Sequence, residues 1–152
     1  MKCNLSLVSI SSLVFALLFL PNNLFSQTDY YFSDNSLLVD KTIYFSDNSL
    51  LVDKTIHFSD SALYADLTVY VCSSCFTYDY GVSSNSLFTD QSIYISNTFL
   101  FVDETIHISP SSLYSDISVY ITNSPLYSDL TIKMNEISRE KIAAIVSLNY
   151  EF

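Results

Sequence analysis

Residues 31–43 read YFSDNSLLVDKTI, and residues 44–56 read the same thirteen letters again. Looser copies start at His57, Tyr70, Gly81, Tyr94, His107 and Tyr120 and run to Ile132. A short fixed period means that one small unit, unable to bury an apolar face alone, is stacked against its own copies. The joins between units, TIYFS (42–46), TVYVC (68–72), SIYIS (92–96) and SVYIT (118–122), are β-branched and aromatic. Such residues fit a pleated surface. Alternation places Ile43 and Phe45 on a core face, and Thr42, Tyr44 and Ser46 on an outer one. Asp47 and Asn48 carry turn chemistry. A second short strand is expected through Ser49, Leu50 and Leu51, with Asp53 at the next corner. Each unit then holds two short strands and two turns.

A second level of repetition lies above the first. Units such as LLVDKTI, LFTDQSI and LFVDETI have a polar residue after the aspartate, whereas LYADLTV, LYSDISV and LYSDLTI have an apolar one. In this ordering residues 31–80 match 81–130 at an offset of 50, with His57 falling on His107. The reading is two homologous halves and an approximate internal two-fold symmetry. The unit at Tyr70 is two residues short.

Lys2, an apolar run from Leu13 to Leu20, Pro21, and Leu24 and Ser26 before Gln27 read as a cleavable export signal over 1–27. The run is too short to serve comfortably as a membrane anchor, and Cys3 would leave with it. The expected domains are this segment, a repeat domain over 28–132, and a tail over 133–152. No transmembrane segment is expected after cleavage. The expected location is periplasmic or extracellular. In the tail, Asn135 is the expected cap of a helix carrying Glu136, Ile137, Ile142, Ile145 and Val146. Asn149 to Phe152 are expected to return to extended chain.

All 16 acidic residues lie beyond the leader, and removing Lys2 takes the net charge from −10 to −11. Such a surface repels nucleic acid and anionic headgroups. Gly81 is the single glycine, which excludes collagen, phosphate-cradling loops and glycine-rich calcium-binding repeats.

One aspartate recurs in each unit: Asp40, Asp53, Asp66, Asp90, Asp103, Asp116 and Asp129, with Asp79 in the short unit. A row of carboxylates can bind calcium, but one acid per unit is thin for an ion wanting about six to eight oxygens. The favoured reading is structural, each carboxylate accepting backbone N–H bonds at a tight corner. In an open solenoid these like charges would stack about 4.8 Å apart and repel. A closed ring spreads them. The fold expected is therefore all-β, closed and ring-like, from about eight 13-residue two-strand units with a short C-terminal helix. A short-coil β-solenoid is the alternative. Cys72 and Cys75 are expected to form a local disulfide in an exported chain. A Cys₂His₂ zinc site with His57 and His107 is weaker, since both histidines stand in tyrosine positions. No metal or cofactor is expected.

The runs YADLTVYV (64–71), YSDISVYI (114–121) and YSDLTI (127–132) resemble the septoil knot family, as do DKTIYFSD (40–47) and DETIHIS (103–109). The resemblance spans about residues 31–132. It implies a compact all-β ring wound into a seven-crossing torus knot. No catalytic or binding residues are established for that family, so none is carried over. The function expected is that of an exported, non-enzymatic, very stable structural or interaction domain, monomeric and without affinity for nucleic acid. The alternative is a binding module taking glycan, calcium or a partner protein on its tyrosine faces or acidic corners.

Overall fold

The structure, a computed structural model, describes residues 27–151, so the expected export segment lies outside it apart from Gln27. Among the described residues nine strands form: β1 (Thr28–Ser33), β2 (Lys41–Phe45), β3 (Lys54–Phe58), β4 (Leu67–Cys72), β5 (Tyr80–Ser83), β6 (Gln91–Ser96), β7 (Glu104–Ser109), β8 (Ile117–Thr122) and β9 (Leu130–Lys133). One helix follows, α1 (Arg139–Asn149). The strands close into a single barrel in the order β1-β5-β9-β4-β8-β3-β7-β2-β6, and every pairing is parallel. The closed ring expected from the charge argument is the fold. A closed sheet has no free edge to template pairing with another chain.

Strands consecutive in the chain sit two places apart in this ring, always in the same sense, so the chain circles it almost twice. The two homologous halves are therefore interleaved laps. β2, β3 and β4 each lie directly beside their counterparts β6, β7 and β8. Parallel pairing obliges the chain to return outside the barrel after every strand.

The joins read as strands from their composition are strands. Ile43, Ile56, Val69, Ile93, Ile106, Val119 and Ile132 all point inward and are fully buried. Each is expected to contribute about 1.5–3 kcal/mol on burial. The second strand expected in each unit is absent. Ser49–Leu51, Ala62–Tyr64, Ser86–Phe88, Ser112–Tyr114 and Pro125–Tyr127 are single 3₁₀ turns. Local hydrogen bonding decides this. Asn48 Oδ1 accepts the Leu50 N–H, and Ser61, Asn85 and Ser111 do the same for Leu63, Leu87 and Leu113. One residue pattern earlier, Ser33, Ser46, Ser59, Ser83, Ser96 and Ser109 each accept the N–H two residues on. These short side chains satisfy the backbone where no neighbouring strand is available.

Ile142 to Ser147, six consecutive residues of α1, have no exposed surface. Six residues exceed one helical turn, so the helix is enclosed on all sides. It fills the ring and shares one core with the strands. Ala143, Ala144 and Ser147 keep its girth small. Its first turn lies near the C-terminal ends of the strands, with the Arg139 guanidinium 5.3 Å from the Phe58 ring and Lys141 Nζ 5.3 Å from the Phe32 ring. Its last turn meets Lys54, the first residue of β3, so α1 runs antiparallel to the strands. Lys54 Nζ donates to the Ser147 carbonyl and to that of Tyr150 at 3.3 Å, and pairs with Glu104 Oε1 at 3.1 Å. A cation at the carbonyl end of a helix is favourable. The cap is Ser138, whose Oγ accepts the Lys141 N–H, and not Asn135 as expected. Ile137 accordingly stays outside, 60% exposed.

Candidate functional site

The aspartate column forms a belt around one rim of the barrel. Asp40 accepts the N–H of Ser92, Asp53 of Thr105, Asp66 of Ser118 and Asp79 of Thr131, at 2.7–2.8 Å. Asp90 accepts that of Asp29, Asp103 of Thr42, Asp116 of Thr55 and Asp129 of Thr68, at 2.6–2.8 Å. Each aspartate N–H returns the bond to the carbonyl of the same partner, at 2.8–3.1 Å. The partners are 52 or 61 residues away, on the other lap of the ring. These bonds are thus not made within a single corner: every carboxylate clamps one lap to the other. Asp79 is a full member. Its partner residues reveal the code, Asp-x-Thr/Ser, in which each unit supplies a carboxylate to one neighbour and an N–H to another. The threonine or serine hydroxyl adds a second donor at Ser92 and Thr105. Bonds from the Ser92 hydroxyl, and then its N–H, hold the Asp40 carboxyl below the usual carboxylate range.

The belt breaks once, between β1 and β5. Asp29 stands where the code asks for threonine and registers against Gly81. A side chain at position 81 would run into the Asp29 carboxylate and come within 2.9 Å of the Tyr78 ring. The only glycine in the chain is therefore the residue at which the second lap meets the first. Tyr78, whose hydroxyl lies 3.4 Å from Asp29 Oδ2, carries Lys133 Nζ 4.9 Å from its ring centre. Burial first, and then the Asp29 charge, raise the Tyr78 phenol above its usual value. A shallow cavity of about 250 Å³ opens here.

Cys72 and Cys75 are joined as a disulfide with 5.9 Å between their Cα atoms. His57 Nδ1 lies 3.0 Å from the Ser109 carbonyl, and His107 Nδ1 2.8 Å from that of Ser46. A carbonyl accepts only, so Nδ1 carries the proton in both rings. Each histidine ties a strand to the corner beside it. Among the described residues no three His, Cys, Asp or Glu side chains gather as a metal site.

The outer surface is the chemically unusual part. The corners expected as second strands present their apolar residues to water: Leu37 and Leu38, Leu50 and Leu51, Leu63 and Tyr64, Leu87 and Phe88, Phe99 to Phe101, Leu113 and Tyr114, Leu126 and Tyr127. They encircle the ring because each returning segment crosses outside the strand between its own two. The Ser49–Leu51 turn lies against β7, and the Ala62–Tyr64 turn against β8. Single exposed apolar residues are ordinary, whereas a repeated, contiguous set marks a contact surface. Two corners differ from the rest. Leu38 and Phe101 hold left-handed backbone, φ 64° and 60°, where bulky residues are strained. They are 101% and 98% exposed. The sequence signal for the second was Phe99, an aromatic where the other units have Ser, Ala62 or Pro125.

The chain matches no protein-family model, no curated protein and no solved structure.

Proposed function

We propose that this chain is an exported, non-enzymatic β-ring that persists outside the cytoplasm and acts through contact along its outer rim. The observation that carries this is the circle of exposed Leu, Tyr and Phe corners on a barrel whose own core is already complete. Their apolar surface does nothing for the ring, since strands and α1 fill the interior without it. The carboxylates that could have bound ions or done acid–base work are engaged in clamping the laps. The Cys72–Cys75 disulfide suits an oxidising compartment. The two-place step around the ring is the winding of a torus, and supports membership of the septoil knot family and a knotted path.

Two measurements test the proposal. The purified chain resists urea and protease for long periods at ordinary temperature, since the barrel has no edge strand from which to unzip. Rapid unfolding in mild urea defeats the persistence reading. Pulling the chain by its ends to full extension leaves a contour length shorter than its residue count allows, because the knot tightens. A full contour length defeats the knotted path.

A further inference from the structure

The outer rim is not uniform. The returning segments follow one another around the outside in the order 84–90, 34–40, 97–103, 47–53, 110–116 and 60–66, since each crosses outside the strand between its ends. Units of the first lap place a second aspartate three residues before the leucine pair: Asp34, Asp47 and Asp60. The second lap has Ser84, Asn97, Pro110 and Asn123 there instead. Doubly acidic corners therefore alternate with singly acidic ones along one arc, from 34–40 to 60–66. The next segment, 123–129, crosses outside β4 beside the end of this arc and across the ring from segments 34–40 and 97–103; its corner, Leu126 and Tyr127, lacks the extra acid.

The two strained corners, those of Leu38 and Phe101, are neighbours at one end of this arc. They hold equivalent positions in their units, on the segments that follow the paired strands β1 and β6. Beside Leu37 and Leu38 a notch of about 360 Å³ opens, bordered by Asp40, Ser86, Thr89 and Ser92. Asp40 stays ionised there, through its bonds from Ser92. Asp34 and Asn97 line a second cavity at the ends of β1 and β6, which Lys141 also borders. Anchor side chains standing fully out of the surface, with carboxylates on both sides of them, are the complement of alternating apolar and cationic groups.

Charge decides the occupant. From Asp29 to Ile132 there are 13 acidic residues and two lysines. One of these, Lys54, is turned inward onto Glu104 and the end of α1. A second copy of the chain would bring acid against acid. A bilayer is ill-matched, because strands of 4–6 residues fall short of the about 9–11 that a membrane-crossing strand needs. We infer, resting on the contact reading of the rim, that the arc from residue 34 to residue 66 docks a basic amphipathic polypeptide. Its apolar side chains seat on Leu38 and Phe101, and its Lys or Arg side chains sit by Asp34 and Asp47, which take no part in the clamps.

The test uses the full chain and a synthetic amphipathic peptide of leucine and lysine, with binding read by fluorescence anisotropy. Leu38→Ser with Phe101→Ser weakens binding about tenfold or more, as loss of central anchors does. Leu126→Ser with Tyr127→Ser, at the corner beyond the arc where Asn123 replaces the extra acid, changes it by no more than about twofold. Exchanging the peptide's lysines for glutamate, or its leucines for serine, abolishes binding. Equal losses from both corner variants, or binding sensitive to salt alone, overturn the assignment to this arc. Self-association in sedimentation, or uptake by zwitterionic vesicles, without peptide binding overturns the basic partner and leaves the rim as a contact surface. A large fall in melting temperature in both corner variants shows that the corners serve the fold, and overturns the contact reading as well.

Discussion

The carboxylate of Asp29 fills the space that a side chain at Gly81 would need, at the one place where the two laps of the ring meet out of code. Gly81→Ala therefore forces Asp29 and the Tyr78 ring aside and is expected to cost about 1–3 kcal/mol. Adding Asp29→Ala vacates the space. The double variant recovers part of the loss, so urea unfolding should show clear coupling between the two sites. Additive losses would mean that Gly81 is needed for another reason.

Asp53 accepts both the N–H and the hydroxyl of Thr105, at 2.8 and 2.7 Å. Asp53→Ala takes the acceptor from both donors, which water replaces in part at this exposed corner, and should cost about 0.5–1.5 kcal/mol. Asp53→Asn keeps one acceptor oxygen and should cost less. Leu50→Ser, three residues away but turned to solvent, should stay within about 0.5 kcal/mol. The order Asp53→Ala, Asp53→Asn, Leu50→Ser in denaturation midpoint checks this.

Lys54 ties β3 to β7 through Glu104 and caps the carbonyl end of the helix inside the barrel. Lys54→Met leaves Glu104, which has little exposure, facing the core. The expected loss is on the order of 2–3 kcal/mol, somewhat below that for a fully buried pair. Lys54→Met with Glu104→Gln should recover a good part of it. Loss of α1 from the lumen would appear as faster hydrogen exchange at Ile145 and Val146.

Stability should fall at both extremes of pH. Asp40 has a folded pKa below its ordinary 3.8, so the unfolded chain takes up the proton first as pH drops. Its contribution is complete above about that pH and is lost as pH falls through the folded value. Tyr30, Tyr80 and Tyr150 are pushed above their ordinary 10.0, chiefly by burial. There the unfolded chain ionises first, so their contribution is complete below pH 10.0 and is lost as pH rises through the folded values. Phenolate absorbance followed alongside circular dichroism checks the alkaline limb. Ionisation of these rings at their ordinary value, without unfolding, would contradict it.

Much of the fold was legible because one repeated unit reports on itself many times over. Ile43, Thr42 and Tyr44 alternate as a strand must, and the repulsion among stacked aspartates argued for closure. Leu50 and Leu51 misled because an apolar pair between turn residues looks like a short strand. Only the Asn48 cap, a choice among competing local bonds, turns it outward. The partners of the aspartates could not be read from one unit, because they lie four or five strands away. The enclosure of α1 was hidden too. A helix with apolar residues on one side reads as surface helix, and Ala143 and Ala144 give little sign of complete burial. The Asp29–Gly81 seam did leave a mark, the lone glycine, but its meaning needed the register.

The interleaving of laps also bears on when the molecule can come into being. β1 to β4 pair only with β5 to β9, and never with one another. A chain emerging from the ribosome or an export channel thus releases residues 28–72, with β1 to β4, before any sheet partner for them has appeared among the described residues. Pairing starts only when Tyr80 appears, and the helix that fills the ring is made last. Contacts this distant in sequence fold slowly. Delay is built into the order of synthesis: such a chain stays threadable while it is being delivered, and becomes rigid only after nearly all of it has arrived.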